Sequence, residues 1–180
     1  MITAQQLAAA VGCPVQRAAK WTDALNAAME RYDINTPERQ AAFLAQVGHE
    51  SGRLIYVREI WNPAQCPWQA KYEGRADLGN IQHGDGARFK GRGLIQITGR
   101  TNYRACGVAL GEDLENNPEL LEQPTFAAMS AAWFWKSHGC NDLADIGSFR
   151  AITRIINGGF NGLDDRMLLW ASAKSVFCGV

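Results

Sequence analysis

Several segments of this sequence repeat apolar residues every three or four positions, which is the spacing of one buried face of an α-helix. The clearest segment follows Pro14 and carries Ala18, Trp21, Leu25, Ala28, Met29 and Tyr32. Shorter stripes of the same kind occur within residues 37–50, 126–136 and 148–157, and a last helix is predicted over residues 163–177. A chain with this pattern is expected to fold mainly as packed α-helices.

Short polar signals mark where the first helices begin and end. Thr3 and Gln6 have the spacing of a capping box, and Gly12 is suited to end the helix that they open. Thr36 followed by Pro37 predicts another start, because a threonine N-cap is commonly followed by proline at the first helical position. The sequence therefore predicts two capped helices within the first fifty residues.

The middle of the chain departs from the helical pattern. Nine glycines lie between Gly74 and Gly111, a density that favours turns and close backbone approaches over long helices. Within this segment residues 94–98 alternate, which predicts a short strand with Gln96 and Thr98 on one face. We therefore predict one mainly α domain, residues 1–180, with a small β-hairpin element.

Composition and charge exclude several classes of protein. Hydrophobic residues make up 47% of the chain and charged residues 20%, which is typical of a folded domain and not of a disordered one. Eighteen basic residues balance eighteen acidic ones, so no overall charge attracts nucleic acid. The most apolar window, residues 126–135, is too short to span a membrane, and no signal peptide is recognised before Arg17.

The cysteines and histidines carry no signal for a disulfide framework or a metal. Five cysteines contain no C-x-x-C pair, and the three histidines have no ligand spacing. His49 and Glu50 are not followed by the second histidine of an H-E-x-x-H zinc motif. We expect no metal and no cofactor.

Two glutamates are candidates for acid–base chemistry. Glu50 ends a helix with a buried stripe, where partial burial favours the protonated form that a general acid needs. Glu59 follows nine residues later among apolar neighbours, and a chain that turns back places it across the same cleft. Hydrolysis of a glycosidic bond uses such a pair of carboxyl groups. The alternatives are a helix-end salt bridge for Glu50 and a surface pair of Glu59 with Arg53 or Arg58.

Other polar residues permit two interpretations each. Gln96 and Thr98 supply an amide and a hydroxyl that could hold a water and a sugar substituent, or make structural hydrogen bonds. Asn157 precedes two glycines and could contact a ligand or form a helix C-cap. Arg166 could act beside the site or form a solvated ion pair with the two acids before it. Five basic residues and no acid lie in 88–110, whereas 111–122 holds five acids, which predicts a locally polarised surface.

Five ordered segments resemble glycoside hydrolase family 19, the chitinase family, and most closely its short bacterial and phage branch of cell-wall lytic enzymes (endolysins). The resemblance spans about Thr36 to Phe177. Its segments read FLAQVGHESG, YVREIW, YEGRADLGN with GDGARFKGRGLIQITGRTNY, AAWFW and IINGGFNGLDDR. Residues 1–32 match less well and are predicted to be an N-terminal helical addition packed on a family 19-like core, residues 33–180.

The resemblance implies a lysozyme-like, two-lobed α-helical fold with the hairpin beside the active-site cleft. It also implies an inverting mechanism without a covalent intermediate. Roles are implied for eight residues: Glu50 as general acid, Glu59 as general base, Thr98 for the nucleophilic water, Gln96, Tyr103 and Asn157 for substrate contact, and His49 and Arg166 in support. Plant relatives usually carry serine where this chain has Thr98, an exchange that keeps the hydroxyl.

The expected function is that of an endolysin that hydrolyses β-1,4-glycosidic bonds of bacterial peptidoglycan and so lyses the host cell. A chitinase of the same fold and a catalytically silent glycan-binding module remain open as alternatives. The expected enzyme is a monomer that binds peptidoglycan glycan strands, binds no nucleic acid and inserts into no membrane. It is expected to accumulate in the host cytoplasm and to reach the wall after a holin permeabilises the inner membrane.

Overall fold

The structure is a computed structural model and describes residues 1–179. Ten α-helices carry most of this part of the chain: α1 (Ala4–Val11), α2 (Val15–Arg31), α3 (Pro37–Glu50), α4 (Pro67–Ala70), α5 (Asp85–Arg88), α6 (Arg100–Leu110), α7 (Pro124–Ser137), α8 (Cys140–Asp145), α9 (Phe149–Asn157) and α10 (Leu163–Phe177). Two short 3₁₀-helices lie at Ala76–Leu78 and Pro118–Glu122. The predicted mainly α class is confirmed. None of the helices described is long and apolar enough to cross a membrane.

The predicted caps of the first helices are confirmed. The Thr3 hydroxyl accepts a hydrogen bond from the backbone N–H of Gln6, and the Gln6 side chain accepts one from the N–H of Thr3 at 2.9 Å. Gly12 ends α1 in the left-handed conformation. Thr36 caps α3 by accepting from the N–H of Arg39 at 3.2 Å. These local bonds satisfy helix-end donors that would otherwise have no partner.

The larger lobe is a helical core built from α1, α2, α3 and α7 to α10. Phe43 of α3 meets Trp135 of α7 edge to face, with ring centroids 5.3 Å apart, and both side chains are fully buried. Leu7 of α1 and Leu25 of α2 are fully buried in the same core. Burial of each such side chain contributes roughly 1.5–3 kcal/mol. Side chains of residues 1–32 therefore pack into this core, and the description of that segment as an N-terminal addition remains a prediction.

The smaller lobe has its own apolar core beneath the Gly-rich segment. Its buried members are Phe89, Ile97, Tyr103, Cys106, Leu114 and Leu121. Helix α7 is apolar on nearly all sides and packs against both cores, with Trp135 in the larger and Phe126 and Trp133 beside the smaller. A helix that is hydrophobic all round is buried on all sides. The fold has the two lobes that were expected.

The strand predicted over residues 94–98 is wrong. Arg92 and Ile97 exchange two backbone hydrogen bonds of 3.1 and 2.8 Å, and the residues between them form a turn. Gly93 takes φ +90° there, and a Cβ atom at that position would lie 2.7 Å from the hydroxyl of Ser130. Leu94 is buried beside Ile95 instead of facing the opposite side. The hairpin is thus a tight turn closed by one residue pair, without extended strands.

The Gly-rich loops are held together by bonds between side chains and backbone. Glu73 accepts from the N–H groups of Gly84 at 2.6 Å and Gly86 at 2.9 Å. These backbone bonds lower the pKa of the Glu73 carboxyl. Asp85 is buried and pairs with Arg100 through bonds of 3.0 and 2.5 Å. The YEGR and GDG motifs therefore hold the loops of residues 73–86 together and anchor them to α6.

The predicted polarised surface is wrong, because the two charged segments pair with each other. Arg100 and Arg104 both contact Glu115, at 3.2 and 2.6 Å. Arg92 is buried and bonds to Glu122 at 2.8 Å. The bases of the first segment are thus largely neutralised by the acids of the second within the smaller lobe.

Candidate active site

Glu50 and Glu59 line the same open groove, which has a volume of about 290 Å³. Glu50 is the last residue of α3 in the larger lobe, and Glu59 lies in the loop that follows it. Gln96 of the hairpin and the exposed side chain of Trp68 line the same groove. The arrangement places two carboxyl groups, one amide and one aromatic ring around a single space that a polymer can enter.

A buried arginine holds Glu50. Arg166 is 1% exposed, and one of its N–H groups donates to Oε1 of Glu50, whose side chain is 21% exposed. The same guanidinium donates to Oε1 of Gln46 at 2.5 Å and to the carbonyl of Asn161 at 3.1 Å. Gln46 is fully buried and donates in turn to Thr153 at 2.8 Å. Arg166 is therefore the buried ion-pair partner of Glu50 and not part of a solvated pair with the acids before it.

Glu59 is held by two neutral donors. The side-chain amide of Gln69 donates to its Oε1 at 2.9 Å, and the N–H of Gly91 donates to its Oε2 at 3.3 Å. The backbone N–H of Glu59 also bonds to the carbonyl of Gly91 at 2.8 Å. Gln69 is buried, so its orientation is fixed. Both oxygens thus accept hydrogen bonds from fixed donors, which orients the carboxyl group.

Gly91 connects the general-base candidate to Gln96. A Cβ atom at Gly91 would lie 2.6 Å from Oε1 of Gln96 and 3.1 Å from its Cβ, so only glycine fits between the two side chains. Gln96 also lines a second cavity of about 220 Å³, together with Thr98, Asn102 and Trp133. Gln96 therefore lies where the two cavities meet, whereas Thr98 lines only the second. The water-positioning role of Thr98 remains a prediction.

His49 lies beside Glu50 in an ionic cluster with Asp165 and Arg53. Nδ1 of His49 is 2.6 Å from Oδ2 of Asp165, and Arg53 donates to both oxygens of that carboxylate, once at 2.8 Å. The bonds from Arg53, followed by the bond from His49, outweigh the effect of partial burial and hold the pKa of Asp165 at about 2. Arg53 is therefore engaged by Asp165, and Arg58 contacts Glu122 at 3.2 Å, which excludes the surface pairs considered for Glu59.

The depressed pKa of Asp165 predicts a pH dependence of stability. Because the carboxyl has a pKa of about 2 in the folded protein and 3.8 as its ordinary value, its contribution is complete above about pH 4 and is lost as the pH falls toward 2. The expected result is a fall in the free energy of unfolding over this interval that is smaller in Asp165→Asn. Urea unfolding at pH 5, 4, 3 and 2 measures it, and equal slopes for the two proteins would contradict the assignment.

Tyr103 does not line the groove, and its role in substrate contact remains a prediction. Its ring is fully buried in the smaller lobe, which raises the pKa of its hydroxyl. That hydroxyl donates to the carbonyl of Lys90 at 2.6 Å and accepts from Arg92 at 3.0 Å. Tyr103 thus fixes the backbone on either side of Gly91, and its influence on the site is indirect.

Asn157 closes the loop after α9. Its Oδ1 accepts from the N–H of Asn161 at 3.1 Å, and Gly158 follows in the left-handed conformation. Asn161 is the residue whose carbonyl accepts from Arg166. Asn157 lines neither the groove nor the second cavity, and its contact with substrate remains a prediction.

Three residues of the site were not predicted from the sequence. Gln46 gives a detectable signal, because it interrupts the apolar run of α3 and is fully buried. Gln69 and Asp165 give none, because their partners lie 10 and 116 residues away and only the fold brings them together. The local sequence around Asp165 suggests instead that its ion-pair partner is the adjacent Arg166.

Similarity to known proteins decides the family. Residues 17–144 match the family model of glycoside hydrolase family 19, described as chitinase class I. A family 19 domain-containing protein of Haemophilus influenzae is 36% identical over 172 residues, which cover 82% of this chain and 84% of that protein. The chain belongs to glycoside hydrolase family 19. It is accordingly a glycoside hydrolase with the chitinase-like architecture of that family.

Solved family 19 structures share the fold over nearly the whole chain. Chitinase C from Streptomyces griseus aligns with a TM-score of 0.77 at 26% identity and covers 98% of this chain and 76% of its own. A second bacterial family 19 chitinase aligns at 0.78 and 27%, covering 98% and 94%. Endochitinase 1 of Theobroma cacao is 34% identical, but the match spans only 56% of its length. Coverage of 98% of this chain includes most of residues 1–32.

Proposed function

We propose that this family 19 enzyme is an endolysin that hydrolyses the β-1,4-glycosidic bonds of peptidoglycan with inversion, using Glu50 as general acid and Glu59 as general base. The observation that carries the mechanism is that both carboxyl groups line one groove and are held by different, fixed partners. The enzyme requires access to a wall outside the inner membrane, so the proposal includes a holin or similar permeabilising partner.

The reaction follows from the partners of the two glutamates. Glu50 donates its proton to the glycosidic oxygen, and Arg166 stabilises the carboxylate that remains. Glu59 accepts a proton from a water molecule as that water attacks the anomeric carbon from the opposite face and the glycosidic bond breaks. Gln69 and Gly91 keep Glu59 oriented toward the water. One water is consumed, and no covalent sugar–enzyme intermediate forms.

A second cavity adjoins the groove at Gln96. Gln96 joins the space around the glutamates to the cavity lined by Thr98, Asn102 and Trp133. These side chains supply hydroxyl, amide and aromatic groups, the usual partners of sugar hydroxyls, acetamido groups and ring faces. A binding track of this kind supports cleavage within a polymer.

An exposed cation on the groove wall supports peptidoglycan as the substrate. Arg58 precedes Glu59, lines the groove and is 61% exposed at its side chain. Its contact with Glu122 is 3.2 Å long, and Glu122 makes a shorter one of 2.8 Å to Arg92. Peptidoglycan strands carry lactyl-peptide carboxylates, whereas chitin is uncharged. Chitin is the second candidate, favoured by the names of the plant and bacterial relatives.

Arg58→Gln is expected to discriminate between these substrates. Loss of one exposed cation–carboxylate contact should lower kcat/KM on peptidoglycan about threefold, with a weaker dependence on salt, and leave chitin oligomers unaffected. Arg154→Gln, an exposed arginine of α9 that lines neither cavity, is the matched control. An equal loss on both substrates would contradict a role for Arg58 in recognising charge.

The proposed function itself is tested by incubating the wild-type protein with purified sacculi and, separately, with purified chitin. Reducing ends and soluble fragments are measured against a heat-inactivated blank. We expect release from sacculi at a higher kcat/KM than from chitin. The reverse preference would identify a chitinase, and binding to sacculi without any release would identify a silent glycan-binding module.

A further inference from the structure

Three consecutive residues after the general acid adopt the left-handed conformation. Gly52, Arg53 and Leu54 have φ angles of 57°, 62° and 64°. Glycine takes this conformation freely, but for arginine and leucine the Cβ atom crowds the following carbonyl. Non-glycine residues remain in such a conformation only where surrounding contacts enforce it. The turn therefore depends on whatever holds Arg53 and Leu54.

The contacts that enforce this turn come from both sides. Leu54 is buried, and its N–H donates to the hydroxyl of Ser51 at 2.9 Å. The carbonyl of Arg53 accepts from Arg17 of α2 at 3.3 Å. The guanidinium of Arg53 reaches in the opposite direction and makes two bonds to the carboxylate of Asp165 on α10. Of these contacts, only the pair with Asp165 joins two opposite charges through two parallel bonds, which is the strongest geometry of this kind.

The turn lies between Glu50 and Glu59 in the chain. It terminates α3 at Glu50 and redirects the chain, so that Glu59 returns to the groove five residues after Leu54. The neighbouring residue of α10, Arg166, binds Glu50 directly. Asp165 and Arg166 are thus consecutive residues of α10. Arg166 binds Glu50, and Asp165 binds Arg53 in the left-handed turn that precedes Glu59.

We propose that Asp165 is a positioning residue that, by holding Arg53 in the left-handed turn, sets the placement of Glu59 across the groove from Glu50. The proposal rests on the proposed roles of the two glutamates. The low pKa of Asp165, about 2, keeps the carboxylate charged at every pH at which such an enzyme works. His49 shares the carboxylate but lies within α3, before the turn, so its bond alone does not constrain Arg53.

Asp165→Asn removes the negative charge of the side chain and keeps its size and shape. The asparagine Oδ1 can still accept from His49, but the neutral amide no longer pairs with the guanidinium through two bonds. Asp164→Asn is the matched control, because Asp164 is exposed in the same helical turn and its replacement makes the same change in charge. Arg53→Gly tests the turn itself, because glycine adopts φ near +60° without any anchor.

The experiment measures kcat and KM on sacculi for these variants and for Asp165→Asn/Arg53→Gly. We expect Asp165→Asn to lower kcat about tenfold or more with KM nearly unchanged, since small misplacements of reacting groups are costly. We expect Asp164→Asn to behave like the wild type. The double variant should recover most of the lost kcat, because its turn needs no carboxylate. A role of Asp165 in stability alone predicts no such recovery.

Hydrogen exchange gives a second reading that does not depend on activity. The amides of Ile55 and Tyr56, which bond to the carbonyl of Ser51, should exchange faster in Asp165→Asn and return toward wild-type rates in the double variant. Equal kcat in Asp165→Asn and Asp164→Asn, or a double variant no more active than Asp165→Asn, would overturn the proposal. A wild-type protein inactive on sacculi and chitin would instead overturn the proposed function, and exchange would still test the turn.

Discussion

Replacement of Glu50 by glutamine is expected to lower kcat on peptidoglycan by about a hundredfold or more, the usual cost of losing a general acid. The amide has no proton to donate to the leaving oxygen. Its carbonyl can still accept the bond from Arg166, and the side chain has the same shape, so the fold should be unaffected. The measurement is the initial rate of reducing-end release from sacculi.

Glu38→Gln is the matched control for this prediction. Glu38 is an exposed glutamate in the first turn of the same helix, and it lines neither cavity. We expect the control to retain nearly full activity and both variants to unfold near the wild-type temperature. A Glu50→Gln protein that keeps more than about a tenth of the wild-type rate would show that Glu50 is not the acid.

Arg166→Leu is expected to reduce both activity and stability. The change removes three hydrogen bonds, leaves the fully buried Gln46 without its donor and leaves Glu50 without its cation. Removing one member of a buried ion pair typically costs about 3–5 kcal/mol, and partial exposure of Glu50 places this case near the lower value. Because Arg166 stabilises the carboxylate formed when Glu50 gives up its proton, kcat should fall as well.

Thermal unfolding and sacculus hydrolysis measure the two effects. A loss of about 3 kcal/mol in a chain of this size corresponds to a melting temperature lower by roughly 6–12 °C. Arg154→Leu, at an exposed position of α9, is the control and should be close to wild type. Arg166→Lys keeps the positive charge but cannot make all three hydrogen bonds. Its melting temperature and activity should lie between those of Arg166→Leu and the wild type. Wild-type stability in Arg166→Leu would show that the buried pair is not a structural element.

The sequence predicts the helices well where the determinant is local. The stripe and caps of α3 place Glu50 at a helix end, and the last helix is observed over Leu163–Phe177, as predicted. Prediction from the sequence fails where tertiary packing determines the local structure. Residues 94–98 alternate like a strand, but the turn at Gly93 buries Leu94 and Ile95 together. Helix α6 was missed because the glycine count of its surroundings outweighed the helical spacing of Tyr103, Cys106 and Leu110.

The site was predictable in its residue types more than in its contacts. The motif segments identified both glutamates and Gln96, which meet in one groove. The same resemblance placed Tyr103 at the substrate, although its ring is buried beneath the loop that it supports. No local pattern reveals that Gln69 orients Glu59, or that Asp165 binds Arg53 and not the adjacent Arg166. Those contacts join residues from separate helices and loops, and only the folded chain determines them.

The most direct test of the mechanism is proton NMR of the first sugar products released from peptidoglycan by the wild-type enzyme. Two carboxyl groups that act as acid and base on either side of the bond deliver water to the face opposite the leaving group. The substrate bond is β, so the new reducing end must appear first as the α-anomer and reach equilibrium only later. First appearance of the β-anomer would require a retaining mechanism and would contradict the roles given to Glu50 and Glu59.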